Sequence, residues 1–286
     1  MKKLIQGLRE FHDTYVPTHR ELLDQLAHGQ KPRVLFITCS DSRIDPNLLT
    51  HTEIGELFVI RNAGNMIPPY RATNGGEGAA VEYAIAALGI EHIIVCGHSH
   101  CGAMKGLMKL NQLQEGMPLV FDWLKHTEAT RRLVAENYPD AQGEELLEIL
   151  VAENVLTQIE NLKTYPIIHS RLYKRTLHIY AWIYYIETGE VWAYDPVTHS
   201  YVPPQSQLSD SEGWSESEPS LGTPAIACEL PQHAGLSQTA VSQQAIPTAA
   251  STSRPVRKSS STSSQVGIVA PWLSPQQAER IYRGNH

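Results

Sequence analysis

Residues 92–98 read HIIVCGH and run straight into SHCG (99–102). Ile93–Val95 form a short β-branched run ending near a glycine, the composition of a strand buried on both faces, and the polar cluster after it marks where the chain leaves the sheet. Two earlier stretches share this character, RVLFITC (33–39) and ELFVIRNA (56–63). Between the second and third runs lies GEGAAVEYAIAALG (76–89), Ala-rich and long enough for a crossover helix. Residues 118–138 and 143–165 read as amphipathic helices, and 177–196 as two aromatic-rich strands turning at Thr188-Gly189. The expectation is an α/β fold: a mainly parallel central sheet, flanking helices and an antiparallel edge hairpin.

The chain has 286 residues, 42% of them hydrophobic, enough for one sizeable core. A formal charge of −7 argues against a nucleic-acid footprint, which would be basic and clustered. No apolar run approaches the ~20 residues that span a bilayer. Arg9, Glu10 and Asp13 interrupt the opening stretch where a secretory signal would be apolar. With only Cys39, Cys96, Cys101 and Cys228, a disulfide framework is not expected, and the compartment reads as cytoplasmic.

Composition divides the chain. Residues 1–202 look globular, opening with a helical arm over about 1–28. From Pro203 onward fall nine of the eighteen prolines and sixteen serines without apolar periodicity, so 203–273 reads as a disordered Pro/Ser-rich linker. The last residues, 274–286, carry a helix start at Ser274-Pro275. Ala278, Ile281 and Tyr282 follow at i, i+3, i+4 spacing, which suits a short partner-binding motif.

Open α/β sheets collect their chemistry at the carboxyl ends of strands. The first strand ends in CSDSR (39–43) and the third in GHSHCG (97–102). If the two are neighbours, Cys39, His98 and Cys101 reach one rim, and two thiolates with an imidazole suit Zn²⁺. Cys96 lies two residues before His98, so both reaching one ion would distort the strand; it reads as packing. Ser99 lacks the glycine pattern of a hydrolase elbow, and TNGGEGAA (73–80) lacks dinucleotide-binding spacing.

CSDSR, RNAGN (61–65) and GHSHCGAM (97–104), in that order, strongly resemble the β-class carbonic anhydrases, and ENVLTQIENLKTYPIIHSRL (153–172) resembles a later helix of that family. The resemblance covers about residues 1–202. It implies one Zn²⁺ per subunit on Cys39, His98 and Cys101, with Asp41 and Arg43 as a paired dyad beside it. It further implies a substrate pocket containing Gln30, Phe58, Ala63, Tyr83 and Gly102, in a homodimer or higher even-numbered oligomer. One subtype carries a tryptophan three residues before the first cysteine, at a regulatory bicarbonate site; Phe36 stands there in this chain. The extended tail, with QAERIYRG (277–284), is similar to carboxysomal members, which implies a carboxysome lumen, bicarbonate conversion beside Rubisco, and a scaffold protein bound through the tail.

As is known of carbonic anhydrases generally, zinc makes hydroxide available near neutral pH. Two thiolates cancel the ion's formal charge, so a rate rising on the alkaline side is expected. Arg43 would hold Asp41 ionised through a bidentate contact, and Asp41 would orient the hydroxide that attacks CO2 and keep the fourth zinc position open. His100 and His51 are weak candidates for moving the proton away. The rival reading is a non-catalytic α/β adaptor with a closed structural zinc, acting as a scaffold component through its tail.

Overall fold

The computed structural model describes residues 1–73 and 75–204. Apart from Pro203 and Pro204, the expected linker and the motif with Ala278, Ile281 and Tyr282 lie outside the described residues. Six strands form one sheet: β1 (Val34–Cys39), β2 (Leu57–Asn62), β3 (His92–His98), β4 (His178–Tyr184), β5 (Val191–Asp195) and β6 (Ser200–Val202), in the order β2-β1-β3-β4-β5-β6. The first four in that order pair in parallel, and β5 and β6 add antiparallel edge pairs. The expected hairpin is present, with Gly189 at φ +74° supplying the left-handed residue of its turn. The three residues of β6 carry too short a pattern to stand out in the sequence.

Strand alternation sorts the core. Leu35, Ile37, Ile93 and Val95 face one way, and meet Val81, Ala84 and Ile85 of the crossover helix and Val155 and Leu162 of the helix Gly143–Lys163. Phe36, Ile94 and Cys96 face the other way, against Ile44, Leu49 and Trp182. Fully burying each such Ile or Leu stabilises the fold by about 1.5–3 kcal/mol. The stretch 118–138 is not one helix. It breaks into Pro118–Leu124, a 3₁₀ turn Lys125–Thr127 and Glu128–Asn137, because buried Thr127 and Thr130 spend their hydroxyls on each other and on the neighbouring helix. The helix Gly143–Lys163 buries polar Asn154 and Gln158 beside Leu147, Leu150, Val151 and Val155, so it is sandwiched more than amphipathic.

The strand order decides where a site can form. After β1 the chain turns outward to β2, then returns across β1 to reach β3, and leaves β3 for β4 on the other side. The loops leaving β1 and β3 therefore diverge, which opens a crevice at their carboxyl ends, the switch point of such sheets.

The helix Gly143–Lys163 presses hardest where β3 lacks a side chain. A Cβ on Gly97 would come within 2.8 Å of Val155 Cγ2 and 3.1 Å of Val151 Cγ1. Gly97→Val is expected to cost about 1–3 kcal/mol of stability through overpacking. Thermal unfolding should record a fall of roughly 3–10 °C.

Candidate metal centre

Cys39 closes β1, and His98 closes β3. The register pairs Thr38 with Cys96, so His98 extends just past the end of its neighbour. After His98 the chain turns at His100, which holds φ +54°, and Cys101 then caps the helix Gly102–Met108. This turn brings Cys101 back to the rim. One ligand atom each from Cys39, His98 and Cys101 lie within 4.8 Å of one another, and all three residues are buried.

The donor set fits a metal ion. His98 Nδ1 is 2.9 Å from the Ser99 carbonyl oxygen, to which a protonated Nδ1 donates, leaving Nε2 with a free lone pair. That Nε2 is buried with no hydrogen-bond partner among the described residues, an arrangement that costs free energy unless something binds the lone pair. The two thiols divide their protons unequally. The Cys101 hydrogen bond, helped by His98 and the Gly64 and Asp41 amides, pulls the Cys39 thiol far below its ordinary value. The same hydrogen bond to Cys39, then burial and the charge on Cys39, push the Cys101 thiol up. A thiolate is thus already favoured at one of the two sulfurs.

Asp41 and Arg43 form the expected dyad. Arg43 Nε donates to Asp41 Oδ1 at 2.9 Å, Nη2 to Oδ2 at 2.7 Å, and the Arg43 amide to Oδ1 at 3.0 Å. The Asp41 Oδ2 lies 3.9 Å from His98 Nε2, so the carboxylate stands against the ligand cluster. Arg43 Nη2 also donates to the His100 carbonyl at 3.3 Å, linking the loops beyond β1 and β3.

Cys96 is not in the cluster. It is fully buried among Phe36, Ile44 and Ile94, and burial pushes its thiol up. Ser99 accepts from the Ile186 amide and donates to Glu187, which makes it a tie to the end of β4. His100 sits between Glu144 and Glu187, at 3.4 and 3.6 Å. Of the expected pocket residues, Phe58 and Tyr83 meet, with ring centroids 6.1 Å apart. Gln30, Ala63 and Gly102 are exposed, and a Cβ on Gly102 would meet open space.

Sequence reading missed Arg61. Its guanidinium donates to the carbonyls of Cys39, Asp41 and Ile44 at 3.1, 2.7 and 2.9 Å, so one cation caps the whole loop that carries the first ligand and the dyad. It also missed Asn62, which exchanges two hydrogen bonds with Met66 across the loop after β2. The only available signal was that both belong to the RNAGN stretch.

The carbonic anhydrase family pattern matches residues 34–191. The chain is 54% identical to a carbonic anhydrase of Synechocystis sp. over 294 residues, covering all of both chains. It is 55% identical to one of Synechococcus elongatus over 291 residues, covering 100% of this chain and 99% of that one. Among solved structures, the β-carbonic anhydrase CcaA superposes with a TM-score of 0.71 at 66% identity, over 71% of this chain and 99% of that one. The chain belongs to the carbonic anhydrase family, in its β class. It is therefore an enzyme.

Two outcomes follow from the geometry. Arg61→Met should destabilise the fold by about 2 kcal/mol, since charged donors to carbonyls contribute roughly that much, and denaturant unfolding measures it. The dyad predicts a pH dependence. Arg43 holds the Asp41 carboxyl well below the usual carboxylate range, so its stabilisation is fully present above the unfolded value and is lost as pH falls toward the folded one. The stability gap between wild type and Asp41→Asn should stay constant from about pH 8 to 5 and narrow below about pH 4.

Proposed function

We propose that the CO2 hydration that defines a carbonic anhydrase is carried out here at one Zn²⁺ per subunit held by Cys39, His98 and Cys101. The observation that carries this is the buried His98 Nε2, without a hydrogen-bond partner among the described residues, within 4.8 Å of the Cys39 and Cys101 sulfurs. Bound there, the ion would supply a Lewis acid that makes hydroxide available near neutral pH. Asp41, kept ionised by Arg43, accepts a hydrogen bond from the attacking oxygen and so fixes the direction of its lone pair. The three bonds from Arg43 also keep the Asp41 carboxylate from turning onto the metal, which leaves a position for substrate. Gln30 donates to a substrate oxygen, while Phe58, Ala63, Tyr83 and Gly102 line a small and partly apolar space suited to CO2 once a second subunit covers their exposed side.

Oligomer formation is supported by the N-terminal arm. Leu4, Ile5 and Leu8 lie on one stripe of the helix Lys2–Glu10 and are 65, 56 and 70% exposed, a stripe that a second subunit would cover. A role in the carboxysome lumen, delivering CO2 to Rubisco, is supported by the cyanobacterial relatives that align along the whole chain, tail included. Ala278, Ile281 and Tyr282 then belong to the motif that binds a scaffold protein. The closed-zinc adaptor gains no support, because Cys96 packs away from the ligand cluster.

Metal analysis should give one zinc per subunit, and stopped-flow assays CO2 hydration. Asp41→Ala should keep its zinc and lose about 100-fold in rate, the scale of loss that misorienting a reacting group brings. Full activity in that variant would remove the dyad from the mechanism. Cys96→Ser should keep zinc and activity alike. Deleting residues 275–286 should spare hydration and abolish scaffold pull-down; unchanged pull-down would end the tail reading.

A further inference from the structure

We propose that Trp123 and Asn154 are positioning residues that grip the two carbonyls flanking the Gly64 amide and hold its N–H on the sulfur of Cys39. The Gly64 N–H donates to Cys39 Sγ at 3.4 Å. The carbonyl of the same peptide group, that of Ala63, accepts from the Trp123 indole Nε1 at 2.8 Å. A peptide that accepts at its oxygen is a stronger donor at its nitrogen, so the indole acts on the sulfur through one polarised peptide.

The next carbonyl is held as firmly. Gly64 O accepts from Asn154 Nδ2 at 3.0 Å, and Asn154 is itself buried. Its Oδ1 accepts from Thr127 Oγ1 and from Gln158 Nε2, both at 2.9 Å, so the amide has no freedom to turn away. Gln158 Oε1 in turn accepts from the Ile67 amide at 2.8 Å, fixing the far side of the loop. Gly64 closes the arrangement by lacking a side chain. It holds φ +84°, and a Cβ there would stand 3.1 Å from both Ala103 Cβ and Met104 Cε. The loop is thus gripped by the helix Pro118–Leu124 on one side, by the helix Gly143–Lys163 on another and by Gly102–Met108 on a third.

The consequence is electronic as well as geometric. A hydrogen bond to a ligand sulfur lowers the energy of its lone pair and restrains its direction, and such outer partners typically change metal affinity 10–100-fold when removed. The grip itself needs only the contacts above, whereas its effect on a metal rests on the reading of Cys39 as a ligand.

The test uses the full chain as purified, in three forms: wild type, Trp123→Phe, and Phe121→Leu as a control that thins the same helix without touching Ala63. Amide exchange at Gly64 should be about tenfold faster in Trp123→Phe than in the other two, because the peptide loses the bond that anchors it over the sulfur and opens more often. After exchange of the native metal for Co²⁺, the thiolate-to-cobalt charge-transfer band should move to lower energy in Trp123→Phe alone. Transfer of zinc to a chelator should be about tenfold faster in that variant. Unchanged Gly64 exchange in Trp123→Phe, or equal acceleration in Phe121→Leu, would overturn the proposal. If wild type binds neither zinc nor cobalt, the metal reading fails, and the exchange comparison still decides the grip.

Discussion

A buried imidazole nitrogen without a hydrogen-bond partner among the described residues is the constraint around which the rest is arranged. His98 commits one nitrogen to the Ser99 carbonyl and leaves the other bare inside the protein, where an unmet lone pair is costly. A fold accepts that cost where something else binds the lone pair. The two sulfurs within 4.8 Å make a soft cation the natural answer. Everything nearby restrains these three groups. Parallel pairing of β1 with β3 brings the strand ends level, Arg61 caps the carbonyls after β1, and the turn at His100 returns Cys101 to the rim.

The second organising element is a band of buried polar side chains on the back of the sheet. Thr127, Thr130, Asn154 and Gln158, with half-buried Thr157 at the margin, bond one another between two helices, and their spare donors and acceptors reach the loop after β2. Such a network is favourable only when nearly every member is satisfied, and then it specifies one arrangement. Its position explains why the long helix carries amides where an apolar core would pack as well. The amides hold the loop that faces the first sulfur.

Much of this was legible in the sequence, and the reason is local. Strand runs such as RVLFITC announce themselves through β-branched content, and a cysteine or histidine at a strand end is visible without knowing the fold. The neighbouring of the first and third strands was a conditional expectation, and the sheet order fulfils it. What stayed hidden depends on contacts between distant segments. Arg61 sits in a strand and reads as an exposed cation until three carbonyls converge on it. Trp123 lies sixty residues from the peptide it touches and carries no pattern that points there. The break within 118–138 arises because threonine hydroxyls find partners across a helix pair, which periodicity along one segment cannot reveal.

Arg43 reaches across the crevice, holding the Asp41 carboxylate on one side and the His100 carbonyl on the other. The two lips of the opening are therefore joined by a single charged strut. To part the two lips, the chain must stretch that strut and give up charge-assisted bonds. The separation of the two lips and the direction of the Asp41 carboxylate are thereby coupled through one side chain.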